Sequence, residues 1–596
     1  MGYKTPDLPA ADAADIVAMP TFERIRYLAT HWVDYGFGTA KKTHVGYVFK
    51  VLLYIAIGIT VATVSTGAGA PWDVPAWWNE PIVYQKMVIF TILWEMLGIG
   101  ASSGPMAFRF SPRVGGHRYW LRSGTLRNPP WPGKIPFTKG GVRAEIDVAL
   151  YASVVLSLIV ILTLPGIHSD SLSSVHPSST AGLINPVLLW PMLILAVVMG
   201  LRDKITFLAM RAEQYLPAVV FFATLEFTDM IIACKLLMAV IWIGAGVSKF
   251  GHHFTKVVPV MMSNAPIMFS KILKRSLYRN YPHDLRPSRA GSGVAHILGT
   301  TVEIAAPLIL LFSTNHTATL LAVMLMVAFH ITIFLTFPVA VPLEWNIMFA
   351  FVTVFLFLGF PTWDGYGLGD MSSPWLTAGI VAALLFFPVL GNLRPDLVSF
   401  LPSMRQYAGN WASAMWAFAP GAEKKLADKV LMSSPNQVDQ LGGAYGYDLA
   451  EMLLQKAIAW RSMHTQGPAM LSALDRNLDD IDRYTLREGE SMIANLVGWH
   501  FGDGHLFNER LLMEIQRRAD FAPGEVVVMW IESQPLHKNH QEYKVIDLGL
   551  GVIERGTYRV KATLETQPWL PDGPIPMNIT WQRAAHAERV TAEAGN

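Results

Sequence analysis

The chain is short of most of what marks a soluble enzyme. It has one cysteine in 596 residues, Cys234, which excludes an internal disulfide framework. Only 15% of its residues are charged, and the formal net charge of +2 provides no global field for nucleic acid. Phosphate-loop, dinucleotide, serine-elbow and zinc-protease signatures are absent, as is any nucleic-acid module. A leader-like start is missing too. The first long apolar run begins near Val45, behind a mixed-charge segment, and is expected to stay in the mature chain. Three loops, Thr66–Pro81, Gly166–Asn185 and Pro361–Pro374, contain no lysine or arginine at all.

What the chain has is apolarity, at 52% hydrophobic residues. Crossing about 30 Å of hydrocarbon takes about 20 apolar residues. Runs of that kind are Val45–Thr66, Ile82–Ser102, Ala144–Pro165, Ile184–Leu201, Met230–Phe250, Gly293–Ser313, Thr317–Pro338, Leu343–Phe360 and Trp375–Gly391. Ile205–Phe227 is a further, ambiguous run, because its first half carries Arg211 and Glu213. The fold class expected is a polytopic α-helical membrane bundle of 9–10 transmembrane helices with a C-terminal α+β soluble domain.

Lysines and arginines give the orientation. Ser103–Val142 holds seven and no acid, and Gly251–Arg289 holds seven against Asp284 alone, so both loops are expected to be cytoplasmic. With ten crossings, both termini and the C-terminal domain also fall on the cytoplasmic side of a multi-pass plasma-membrane protein. Residues 1–44 read as an amphipathic segment on the inner membrane surface, from Ile16, Val17, Phe22, Ile25, Leu28 and Trp32. Residues 45–394 form the transmembrane domain and 395–421 an interfacial linker. Residues 422–596 form the soluble domain, helices first. It closes on a small antiparallel sheet from the valine-rich Glu525–Ile531 onward, with no terminal helix after Arg583.

An ionisable group at membrane depth is costly unless it pairs or lines a cavity. Lys249 ends the run AVIWIGAGVSKF, and Glu303 in GTTVEIAAPLILLF is its natural ion-pair partner. His330 is flanked by apolar residues, and Glu213, Glu95, Asp229, Lys235, Glu344 and Asn346 complete the buried polar set. Lys249, Glu303, Glu213 and His330 are expected to converge on one membrane cavity walled by Ile243, Val247, Phe329 and Phe334. Plainer readings stand beside this one: Lys249 snorkels, the pair specifies packing, and His330 joins helices. In the tail, His500, Asp503, His505 and Glu509 suit a metal by type but match no metal-site spacing, so no metal is assigned.

Over about residues 200–420 the order of motifs resembles the vitamin-K-dependent γ-carboxylase and the related horizontally transferred transmembrane (HTTM) domain. IGAGVSKF is similar to the carboxylase segment bearing its base lysine, which the resemblance places at Lys249. Asp203–Lys204 with the later Glu213–Leu216, the Glu303 helix, FHITIFLTF with His330, and YAGNWASAMWAF (Tyr407–Phe418) follow in the family's order. Glu213 stands where that family has a histidine, and Ser248 replaces the first lysine of a pair. Arg109–Trp131 instead resembles an actinobacterial integral-membrane family of unknown function. The resemblance implies an enzyme acting on a quinone, isoprenoid or lipid-borne group, with a quinone as the cofactor class it admits. The alternatives are a non-catalytic lipid-handling or assembly subunit, and a transporter. Membrane lipids are the expected partners, with a protein partner docking through the C-terminal domain.

Overall fold

The computed structural model describes residues 3–100, 104, 109–110, 115–336, 343–394, 412–499, 508–535 and 537–584. Helices α1 (Ala13–Ala18) and α2 (Thr21–Tyr35) open the chain. The membrane half contains α3 (Lys41–Val64), α4 (Pro81–Leu97), α5 (Glu145–Thr163), α6 (Pro186–Arg202), α7 (Ala212–Thr224) and α8 (Phe227–Ser248). It continues with α9 (Thr300–Phe312), α10 (His316–Thr336), α11 (Leu343–Val354) and α12 (Pro374–Leu393).

Among the described residues, six helical stretches are long and apolar enough to cross a membrane, or seven if the pair bent by 44° over Leu343–Gly359 and Thr362–Asp370 is one span. The nine to ten runs expected exceed this number. The surplus came from α4, α6 and α7, which are apolar but have only 17, 17 and 13 residues. At 1.5 Å per residue α7 reaches only about 20 Å, while α4 and α6 reach about 25 Å, at the short end of the roughly 17–25 residues that cross a bilayer. Helix α4 is buried along almost its whole length, so its apolarity answers to protein neighbours. Helix α8 is the most enclosed of the six and α12 the least. The bundle is built around α8.

The basic loop between α4 and α5 has a structural task. Arg127 and Arg202 share Asp147 at 2.9 and 2.5 Å, and Arg143 pairs with Asp203. From the same loop Arg109 donates to the Ser433 carbonyl (2.9 Å), Tyr119 to that of Leu431 (3.0 Å) and Trp120 to that of Val497 (2.9 Å). Its cations and aromatics fasten the bundle to the C-terminal region.

After α8 come a turn at His252–Lys256, a helix at Val257–Asn264 and a small hairpin of β1 (Tyr278–Asn280) and β2 (Asp284–Pro287). The C-terminal region carries a six-stranded antiparallel sheet in the order β4-β3-β5-β6-β7-β8. Its strands are β3 (Ser413–Phe418), β4 (Thr485–Glu488), β5 (Val526–Ile531), β6 (His540–Asp547), β7 (Gly551–Arg559) and β8 (Met577–Gln582). Helices α13 (Tyr447–Met463), α14 (Gly467–Asn477), α15 (Gly489–Val497) and α16 (Glu509–Ala519) cover it.

Strands β3 and β5 are buried at every residue, so alternation divides them between two cores. Ala414, Trp416, Phe418, Val526 and Val528 join Leu511, Leu512 and Ile515 of α16 in a core continuous with the bundle. Met415, Ala417, Val527 and Met529 join α13, α14 and Ile25, Leu28 and Trp32 of α2. The amphipathic N-terminal helix expected on the membrane surface therefore has its apolar face covered by protein. Strand β3 also lies within the stretch expected to be a linker. Residues 395–411 of that linker, His500–Phe507 and everything after Ala584 lie outside the described residues.

Candidate functional site

Helix α8 carries a polar line at a spacing of seven, Lys235, Trp242 and Lys249, which places all three on one face. Each is bonded to a different neighbour. Lys235 Nζ donates to the Tyr366 carbonyl at 2.7 Å. Trp242 Nε1 donates to His330 Nε2 at 3.0 Å. Lys249 Nζ donates to Glu303 Oε2 in a buried ion pair. Gly246 lies on the same face, and a Cβ there would come 2.9 Å from Ile304 Cγ1 and 3.1 Å from Glu303 Cβ. The missing side chain is what lets α9 approach closely enough for the pair to form.

Both nitrogens of His330 are engaged. Nε2 accepts from Trp242, so Nδ1 carries the proton and donates to Asn346 Oδ1 at 2.9 Å. His330 thus ties α8, α10 and α11 together as a neutral ring. It stands two turns, about 10 Å, along α8 from the Lys249–Glu303 pair. Glu213 lies in the first turn of α7. Among the described residues its buried carboxylate oxygens have no hydrogen-bond partner, nor do the Gln214 amide and Tyr215 hydroxyl beside it. Of the four residues expected to converge, the structure brings Lys249 and Glu303 into contact, His330 bonds to Trp242 and Asn346, and among the described residues no hydrogen bond joins Glu213 to the other three.

Sequence reasoning missed Lys86, fully buried in α4, whose Nζ donates to Ser65 Oγ and to the carbonyls of Leu162 and Leu164 at 2.5–3.0 Å. It closes the carbonyl end of α5, a bonding pattern with no sequence signal beyond a lysine in an apolar run. Glu509, from the His500–Glu509 cluster to which no metal is assigned, pairs with Lys544. The cluster's histidines and Asp503 lie outside the described residues.

The large cavity is on a different face of α8. Leu236, Ala239, Val240, Ile243, Gly244 and Val247 form one stripe, and Val381, Leu384, Leu385, Pro388, Val389 and Asn392 of α12 repeat the same spacing. Leu308, Leu311 and Phe312 of α9 close the third side of a space of about 990 Å³. Both stripes run the same way, since Leu368 lines the cavity beside the start of α8 and His252 lies just past its end. All the polar side chains of the lining fall at that second end: Asn392, His252, and His537 and Asn539 from the C-terminal region. Of the four walls expected, Ile243 and Val247 line this cavity and Phe329 and Phe334 do not. The ionisable four are absent from the lining, because at 100° per residue Trp242 and Lys249 point about 100–120° away from Ile243.

The chain belongs to a family described as transmembrane protein of unknown function (DUF3556), which matches residues 1–580. No curated protein and no solved structure matches it. The family spans the whole membrane half together with the C-terminal region. The resemblance to the carboxylase and HTTM domains has no counterpart in these comparisons.

Proposed function

We propose that this integral membrane protein is a lipid-handling protein that takes one long apolar chain, acyl or isoprenoid, from the bilayer into the α8–α9–α12 groove. Its head would lie beside His252, His537 and Asn539. The observation that carries the reading is the pair of matched apolar stripes around about 990 Å³, polar only at one end. That volume is at the top of the ~300–1,000 Å³ range of small-molecule sites. Helix α8, the stretch Arg289–Phe312 that ends in α9, and α12 are of membrane-crossing length and α12 is the least enclosed, so hydrocarbon chains are the molecules at hand. Histidine and asparagine side chains donate hydrogen bonds to acceptor oxygens, which suits a phosphate or a quinone carbonyl.

A base role for Lys249 on such a head group has less support. Its ammonium is held by Glu303, and the cavity faces away from it. Gentle extraction into nanodiscs, followed by native mass spectrometry, tests the proposal. A long-chain lipid should accompany the native protein and fall several-fold in Val240→Trp and Leu385→Trp, which fill the groove. Phe387→Trp, at an exposed position on α12, should retain it. Equal lipid content in all four proteins would sink the groove as a binding site.

A further inference from the structure

Beyond the ends of the spanning helices, one short stretch turns its apolar side chains outward. In Ile267–Leu273, Phe269 is 88% exposed, Ile272 80%, Leu273 57% and Ile267 43%. These residues sit between the helix Val257–Asn264 and the β1–β2 hairpin, in the segment that links α8 to the stretch Arg289–Phe312, itself of membrane-crossing length. The helix Val257–Asn264 packs against the helical segment Val294–Gly299 and α10, so the elbow is held at the end of the bundle.

The elbow is fixed in place, because Arg275 grips the Asp34 carboxylate of α2 with two bonds of 2.8 and 2.7 Å. Lys274 donates to the carbonyls of Asp34 (3.2 Å) and Ser263 (2.6 Å). With the backbone held from behind, Phe269 and Ile272 have only the outside to face. Lys271, Arg275 and Arg279 are exposed around them, and among the described residues Asp34 is the one carboxylate that bonds this cationic group. An apolar tip ringed by cations is the composition of an interfacial membrane anchor.

We infer that residues 267–279 form an in-plane anchor whose apolar tip enters the leaflet on the side of the C-terminal region, while Lys271 and Arg279 meet anionic lipid headgroups. A bilayer is the occupant favoured over a protein, since the segment joins two membrane-crossing stretches and its excess charge is positive. The anchor places the headgroup layer level with the end of α8, where His252 and Asn392 line the polar end of the groove. It also takes the role that the amphipathic α2, buried against α13, does not fill.

The single cysteine makes the test direct, because Cys234 is 0% exposed. Spin labels are placed at Phe269→Cys, Ile272→Cys and, as the aqueous reference, Asn280→Cys. The full chain is reconstituted in vesicles of phosphatidylcholine with or without phosphatidylglycerol. A parallel set on Cys234→Ala guards against labelling at that site. At 269 and 272 the ratio of oxygen to nickel-chelate accessibility should exceed that at 280 several-fold. It should rise with phosphatidylglycerol, and Lys271→Glu with Arg279→Glu should abolish that rise. Nickel-accessible labels at 269 and 272 in both vesicles would overturn the anchor. So would labels already immobilised in detergent without lipid, because that result means the tip is covered by protein.

Discussion

Lys249 and Glu303 illustrate how a buried pair differs from two buried charges. Removing one partner leaves the other charged and desolvated, at a cost of about 3–5 kcal/mol, while replacing both with apolar groups is close to neutral. Lys249→Met alone should therefore lower thermal stability sharply, and Lys249→Met with Glu303→Leu should recover most of the loss. Melting of the purified protein in detergent checks this, and additive losses would show that the two side chains do not act as a pair. The partnership was legible from residue type and position along the helices. The engagement of His330 was not, because Trp242 and Asn346 meet it from other helices. The seven-residue spacing of Lys235, Trp242 and Lys249 was in the sequence all along, as a sign of one polar seam on α8.

Among the elements, periodicity reported the presence of an apolar face but not what covers it. That ambiguity leaves an enclosed apolar helix such as α4 looking the same as a lipid-facing one, and made α2 look like a surface helix. Helix α13, which covers α2, carries the fully buried Lys456, whose Nζ donates to the Phe37 carbonyl at 2.9 Å. Burial pushes this lysine down to about 7 from its ordinary 10.5. Between those two values the unfolded chain binds the extra proton, so this residue's contribution to stability rises with pH by up to about 1.4 kcal/mol per unit. The contribution is complete above about 10.5 and is lost as pH falls through about 7. Lys456→Met should remove that slope, so the stability difference should move in favour of the native protein between pH 7 and pH 10. Parallel melting profiles for the two proteins across that range would mean the ammonium is not perturbed.

On the scale of the whole molecule, the strand-rich end and the membrane half were both visible in composition, because valine runs and long apolar runs are local signals. The join between them was not visible. It depends on contacts such as Trp120 with Val497 and on β3, which pairs with both β4 and β5. A fragment starting at Ala422 lacks β3 and so exposes the facing edges of both strands. It should give a poorly dispersed amide spectrum and no cooperative melt. A fragment from Ala412 supplied with residues 3–44 should improve on both counts, since β3 and α2 are restored. Cooperative folding of the shorter fragment would refute this account of the core.

The packing of α2 on α13 also sets an order of events in time. Phe37 leaves the ribosome with its partner Lys456 still 419 residues away. At about 5–20 residues per second that gap takes roughly 20–80 s to synthesise. For the first part of that wait, until Val260 emerges to accept from Trp32 Nε1 at 3.1 Å, the apolar side of α2, with Ile25, Leu28 and Trp32, lacks the cover it has in the folded protein. A nascent protein already threading into a bilayer offers one nearby surface for it to rest on, so the amphipathic pattern at the start of the chain would describe where α2 waits rather than where it ends.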